Sequence, residues 1–91
     1  MRFDWDPKKA QANIRKHEVS FEEAAECFAD ELGFVVADTN HPDRLILVGE
    51  SKRQRLLFTV YLEQEDGDLI RIISARKATK QERRRYEDGD F

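Results

Sequence analysis

Hydrophobic spacing divides this chain in two near residue 32. Ahead of that point apolar residues recur at helical intervals; beyond it they crowd into β-branched and aromatic runs. Arg2-Phe3-Asp4-Trp5 reads as a short extended piece. Asp6-Pro7 then sets a helix start, with the aspartate as N-cap and the proline at the first helical position. This helix is expected from Pro7 to about His17, with Ala10 and Ile14 on its buried side. A second helix begins at Ser20, where Ser20…Glu23 has the spacing of a capping box. Phe21, Ala24, Ala25 and Phe28 form its apolar stripe, and Glu22, Glu23 and Glu26 its solvated acidic face.

Four apolar runs follow, separated by short polar loops: Leu32 to Ala37, Arg44 to Gly49, Arg55 to Glu63 and Leu69 to Ala75. Loops this short favour antiparallel neighbours, so the pattern predicts a four-stranded meander. In the third run Leu56, Phe58, Val60 and Leu62 are expected to face the helices. Arg55, Leu57, Thr59, Tyr61 and Glu63 then make a partly polar opposite face. Asp66-Gly67-Asp68 reads as a hairpin turn. Thr79…Glu82 is another capping signature, so a last helix is expected from about Thr79 to Glu87, stopped by Asp88-Gly89. The resulting fold class is α+β: two N-terminal helices, a four-stranded antiparallel β-sheet and a C-terminal helix.

Composition narrows the function. Ninety-one residues suit one domain, 1–91, with one small core, and 40% hydrophobic against 38% charged residues marks a globular chain, not a disordered one. The single cysteine, Cys27, excludes an internal disulfide, and its place beside Phe28 reads as buried. Residues 1–19 are polar and do not resemble a leader, and the apolar runs fall far short of the ~20 residues that span a bilayer. A bacterial-type reducing cytoplasm, with no membrane partner, is the expected setting. Two isolated histidines and one cysteine give no metal-ligand spacing, and no glycine-rich phosphate cradle is present, so neither metal nor cofactor is expected.

Charge changes the picture most. From Arg71 to Tyr86 the chain carries seven of its sixteen Lys/Arg residues and one acid, Glu82. This segment is +6 in a chain of net −3, which leaves −9 on the rest. Such segregation suits local contact with a polyanion while the acidic faces repel the remainder of it. RNA or DNA is the kind of polyanion this basic surface suits.

Several short motifs then resemble the BrnT family. They are Phe3-Asp4-Trp5-Asp6-Pro7-Lys8-Lys9, Asn13, Lys16-His17 and Val19-Ser20-Phe21-Glu22-Glu23-Ala24 at one end. At the other are Ile72-Ile73-Ser74-Ala75-Arg76-Lys77-Ala78-Thr79, Glu82-Arg83 and Tyr86-Glu87. The resemblance implies a RelE-like fold and a ribonuclease toxin of a type II toxin–antitoxin pair that inhibits translation. It also implies neutralisation by a BrnA-like ribbon-helix-helix antitoxin, with operator DNA bound only through the antitoxin complex. One position departs from the family pattern: Glu18 stands where glycine usually follows the Lys-His pair. A left-handed backbone there would cost glutamate roughly 1 kcal/mol relative to glycine.

Metal-free RNA cleavage turns the ribose 2′-OH against the adjacent phosphorus, which calls for fixed cations and a proton acceptor. Arg71, Arg76 and Lys77, on the last strand and at its end, are the candidate phosphate grip; the bland alternative is a solvated rim of weak salt bridges. Arg55, opening the preceding strand, is placed with them. His17, among Arg15 and Lys16, is the candidate general base, with a helix C-cap as its structural alternative and a carboxylate as its chemical rival. Lys8 and Lys9 are candidate RNA contacts, as are Arg83 and Arg84 on the last helix. Tyr86 either stacks on a base or packs in the core. The rival to an enzyme is a non-catalytic nucleic-acid-binding or protein-interaction module.

Overall fold

The computed structural model describes residues 1–89. The elements are β1 (Arg2–Asp4), α1 (Pro7–His17), α2 (Phe21–Glu26), β2 (Phe34–Ala37), β3 (Leu45–Glu50), β4 (Leu56–Gln64), β5 (Leu69–Lys77) and α3 (Lys80–Asp88). Short 3₁₀ turns occupy Cys27–Ala29 and Glu65–Gly67. Each helix starts where its cap predicts. The Asp6 carboxylate accepts the Lys8 N–H, Ser20 Oγ accepts the Glu23 N–H, and Thr79 and Glu82 close a reciprocal capping box. Gly89 ends α3 with a left-handed backbone, its N–H donating to the Arg85 carbonyl.

The sheet corrects the expected four-stranded meander. It has five strands in the order β1-β5-β4-β3-β2 and is mixed, because Arg2–Asp4 pairs parallel to β5 opposite Leu69, Ile70 and Arg71. Three residues are too few to show a strand period, so only tertiary pairing reveals β1. The other three pairings are antiparallel, as the loop lengths predict.

Helices cover both faces, unequally. Beneath α1 and α2 lies the main core, with Val19, Phe21, Ala24, Cys27, Leu57, Tyr61, Ile70, Ile72 and Ala75 buried together. Trp5 packs edge-on against Phe21, their ring centroids 5.9 Å apart. On the reverse face Phe34, Val48 and Leu56 are buried under α3, with Phe58 and Tyr86 packed against them. The expected facing of β4 is therefore corrected. Leu57, Thr59 and Tyr61 form the buried side under α1 and α2, and Leu56 and Phe58 face α3.

α1 departs from its predicted face as well. Ile14 is 47% exposed and Asn13 is buried. The Asn13 amide donates to the Val19 carbonyl (2.9 Å) and the Ala75 carbonyl (2.8 Å), and its Oδ1 accepts the Ala75 N–H (3.1 Å). β1 ends at Asp4, opposite Arg71, so β5 has an open edge beyond it; Asn13 satisfies the backbone groups of Ala75 on that edge. Among the described residues no helix is long and apolar enough to cross a membrane.

Candidate functional site

β5 carries three of the predicted site residues, and a bulge sorts them. Tyr61 pairs with Ile72 but Val60 pairs with Ser74, leaving Ile73 as an extra residue. The side-chain alternation therefore shifts by one between Ile72 and Ser74. Arg71 and Arg76 share the α3 face, opposite Leu62 and Phe58, while Lys77, opposite Leu57, lies on the α1/α2 face. Arg71 and Arg76 are also about 16 Å apart along the strand at ~3.3 Å per residue. The expected joint grip of Arg71, Arg76 and Lys77 is thus not assembled on one surface.

Each of the three has its own partner. Arg71 Nη1 lies 3.2 Å from Asp4 Oδ1, at the β1 end of the sheet. Arg76 forks onto Glu82, with both N–O distances 2.9 Å, and its guanidinium carbon sits 3.8 Å above the centre of the Phe58 ring. Lys77 Nζ is 3.8 Å from Glu18 Oε2, and both side chains are more than half exposed. A pair this open is weak, so the ammonium remains available to an anion.

A different set of predicted residues does converge. Arg55 donates from Nε to Glu23 Oε2 (2.9 Å) and from Nη2 to Glu23 Oε1 (2.6 Å), and Nη2 also reaches the Glu18 carbonyl (3.0 Å). Glu18 thus receives Arg55 on its backbone and Lys77 on its carboxylate, immediately after His17 at the end of α1. Arg55 and Lys77 therefore meet at Glu18, where β4 begins and β5 ends, with His17 the preceding residue of the chain, and Arg76 emerges from the other face of the same strand end. Glu18 has the left-handed backbone considered above, φ 60° and ψ 33°, and its N–H donates to the Ile14 carbonyl. The glutamate therefore carries the conformational cost that glycine would avoid.

Beneath this corner lies Glu23, expected on a solvated acidic face but only 5% exposed. Ser51 Oγ donates to Glu23 Oε2 at 2.7 Å, and Arg53 Nη1 is 3.6 Å from Oε1. The Arg55 guanidinium, helped by Ser51, holds the Glu23 carboxyl below its ordinary range against the opposing effect of burial. The acidic first turn of α2 resembles a solvated helix surface; the signal for the burial of Glu23 lies in Arg55, 32 residues on.

The remaining candidates lie elsewhere. Lys8 and Lys9 are exposed in the first turn of α1, about 12 Å or more along the helix from His17 at ~1.5 Å per residue. Arg83 and Arg84 are exposed on α3, Arg83 beside Glu87 at 4.0 Å. Tyr86 packs against the α3-side core, and its hydroxyl donates to Asp30 Oδ2 at 2.7 Å, so its ring is spoken for by the protein. Cys27 is buried, and burial pushes its thiol up to about 12. Among the described residues no three His, Cys, Asp or Glu side chains gather to hold a metal ion. Asn13, which fastens α1 to β5, had no assigned role in the sequence; a poor helix former in mid-helix was the available signal.

Taken together, the architecture is a small α+β domain, one mixed sheet between unequal helical layers, with cations at one sheet end. That class is shared with the crystal structure of the Brucella abortus ribonuclease toxin, BrnT. The two agree with a TM-score of 0.71 at 24% identity over 88% of this chain and 99% of that one, a likeness of fold. A family model described as "Ribonuclease toxin, BrnT, of type II toxin-antitoxin system" matches residues 5–82. The chain belongs to the BrnT family of toxins. No curated protein matches it.

Proposed function

We propose that this toxin is a metal-independent endoribonuclease that cuts RNA, thereby inhibits translation, and is silenced by a BrnA-like ribbon-helix-helix antitoxin. The observation that carries the reading is the convergence of Arg55 and Lys77 on Glu18, next to His17. In this reading Lys77 binds the scissile phosphate and offsets its growing charge. His17 takes the 2′-OH proton as the 2′-oxygen bonds to phosphorus; the bond to the 5′-oxygen breaks, and that oxygen leaves with a proton taken from solvent water. Arg55, with its guanidinium committed to Glu23 and the Glu18 carbonyl, holds the His17–Glu18 corner instead of touching phosphate. Arg76, Arg83 and Arg84, with Lys8 and Lys9 farther off, supply attraction along the RNA backbone. The antitoxin covers the basic α3 surface, and operator DNA is engaged only through that complex. The RelE-like layout implied by the motifs belongs to this same reading.

Purified protein in EDTA should fragment RNA and leave 2′,3′-cyclic phosphate and 5′-hydroxyl ends. Lys77→Ala should lower kcat/KM by about 10- to 100-fold, as loss of a charge-stabilising group does. Arg71→Ala, on the other face, should change it by less than about threefold, within ordinary surface effects. Intact RNA with strong gel shifts would favour a binding module, and 5′-phosphate ends would overturn the chemistry.

A further inference from the structure

One surface remains unused by any of this chemistry. A groove of about 250 Å³ runs beside α2 and the following turn, floored by Phe3, Ala25, Phe28 and Ala29 with Met1 at its lip. Phe3 and Phe28 meet edge-on, 5.2 Å between ring centres, which gives the floor a fixed shape. It continues into a hollow of about 180 Å³ lined by Glu26, Asp30, Glu50 and Ser51. Glu26, Ala29 and Lys52 border both, so apolar floor and acidic end form one channel.

The charge there is unbalanced. Elsewhere Glu23, Glu82, Asp4 and Glu18 each face a cation within 4 Å. Among the described residues no salt bridge involves Glu26, Asp30 or Glu50, and Lys52 is the lone cation of the lining. Two of these carboxylates, Glu26 and Asp30, are nevertheless fixed in place. Glu26 Oε1 accepts the Lys52 N–H (3.2 Å), and Asp30 accepts the N–H groups of Leu32 and Glu50 and the Tyr86 hydroxyl. Two anchored carboxylates, Glu26 and Asp30, with Glu50 beside them at the end of an apolar trough, repel RNA and fit a cation that arrives beside an apolar side chain.

We infer that this channel docks a segment of a partner protein in which a large apolar residue is followed closely by arginine. The apolar side chain enters between Ala25, Phe28 and Ala29, and the guanidinium fork meets the carboxylates of Glu26 and Glu50. This surface is separate from the basic α3 face and from the strand end proposed for RNA, and the inference does not rest on RNA cleavage.

The test uses the whole protein and a fluorescein-labelled hexapeptide, Gly-Leu-Phe-Arg-Arg-Gly, followed by anisotropy and by amide chemical shifts. Shifts should centre on Ala25, Phe28, Ala29 and residues 50–52. Replacing both peptide arginines by glutamate should weaken binding about tenfold or more, and Glu26→Gln/Glu50→Gln in the protein about five- to tenfold, as for contacts between a cation and unpaired carboxylates. Ala29→Glu separates groove from charge, because it adds an anion while filling the trough at an exposed position. It should weaken binding about fivefold. Unchanged or tighter binding by Ala29→Glu would overturn the inference, since diffuse attraction to an acidic surface predicts that result. So would equal binding of the glutamate peptide, absence of binding at millimolar peptide, or displacement of the peptide by a short single-stranded RNA. Circular dichroism of each variant confirms that the fold is intact.

Discussion

Arg55→Ala tests whether the corner at Glu18 is held by a buried ion pair. The substitution removes two bonds to Glu23 and one to the Glu18 carbonyl. It leaves a carboxylate that is 5% exposed with the Ser51 hydroxyl and the solvent-exposed Arg53 at 3.6 Å. Stripping one partner from a fully buried pair costs about 3–5 kcal/mol; Arg55 keeps 24% of its side chain exposed, so about 2–3 kcal/mol is expected. In a domain of this size each kcal/mol moves Tm by about 4–8 °C, which places the loss near 10–20 °C. Urea and thermal unfolding followed by far-UV circular dichroism would measure it, with a Glu23→Ala/Arg55→Ala cycle isolating the coupling. Acid gives a second check. Folding holds the Glu23 carboxyl below its ordinary 4.5, so the pair contributes fully at neutral pH and its contribution is lost as pH falls through and below that value. The gap between wild type and variant should therefore close in acid. A loss under about 1 kcal/mol, additive single variants, or a gap that widens below pH 4 would refute the reasoning.

Further outcomes follow from single contacts. Asn13→Ala should cost about 2–4 kcal/mol, because it orphans buried backbone groups of Ala75 and Val19; urea unfolding checks it. Glu18→Gly should stabilise by about 0.5–1 kcal/mol through relief of the left-handed backbone, visible as a raised urea midpoint. Tyr86→Phe should cost about 1 kcal/mol by losing the hydroxyl bond to Asp30, with faster amide exchange in α3, none of whose residues is buried.

How much of this was legible in the chain depended on range. Asp6-Pro7, Ser20 and Thr79…Glu82 act within one turn, and each cap sits where the residues placed it. Strand locations followed from composition to within a few residues. What failed was decided at long range. β1 is a strand only because β5 lies beside it; Glu23 is buried only because Arg55, 32 residues on, neutralises it. Asn13 turns inward, against its polarity, because a strand edge needs a partner. The α1/α2 face of β4 looked partly polar because Thr59 and Tyr61 lie there. Both are buried, and the Thr59 hydroxyl has no partner among the described residues. For the candidate site, the residue types were readable but their grouping was not. Cations close in sequence were dealt to two faces, and Arg55 and Lys77, far apart in sequence, meet at Glu18.

The extra residue at Ile73 has a consequence for how such a protein can change. Counted by residue number, positions 71 and 77 of an unbroken β5 would look out on the same side; the bulge takes one residue out of the ladder, so they look to opposite sides. Removing Ile73 alone would close the bulge without moving the terminal lysine, because five regular steps would still put it across the sheet from Arg71. The bulge therefore holds one residue in reserve, and losing a single codon there would leave the map of charge on this toxin as it is.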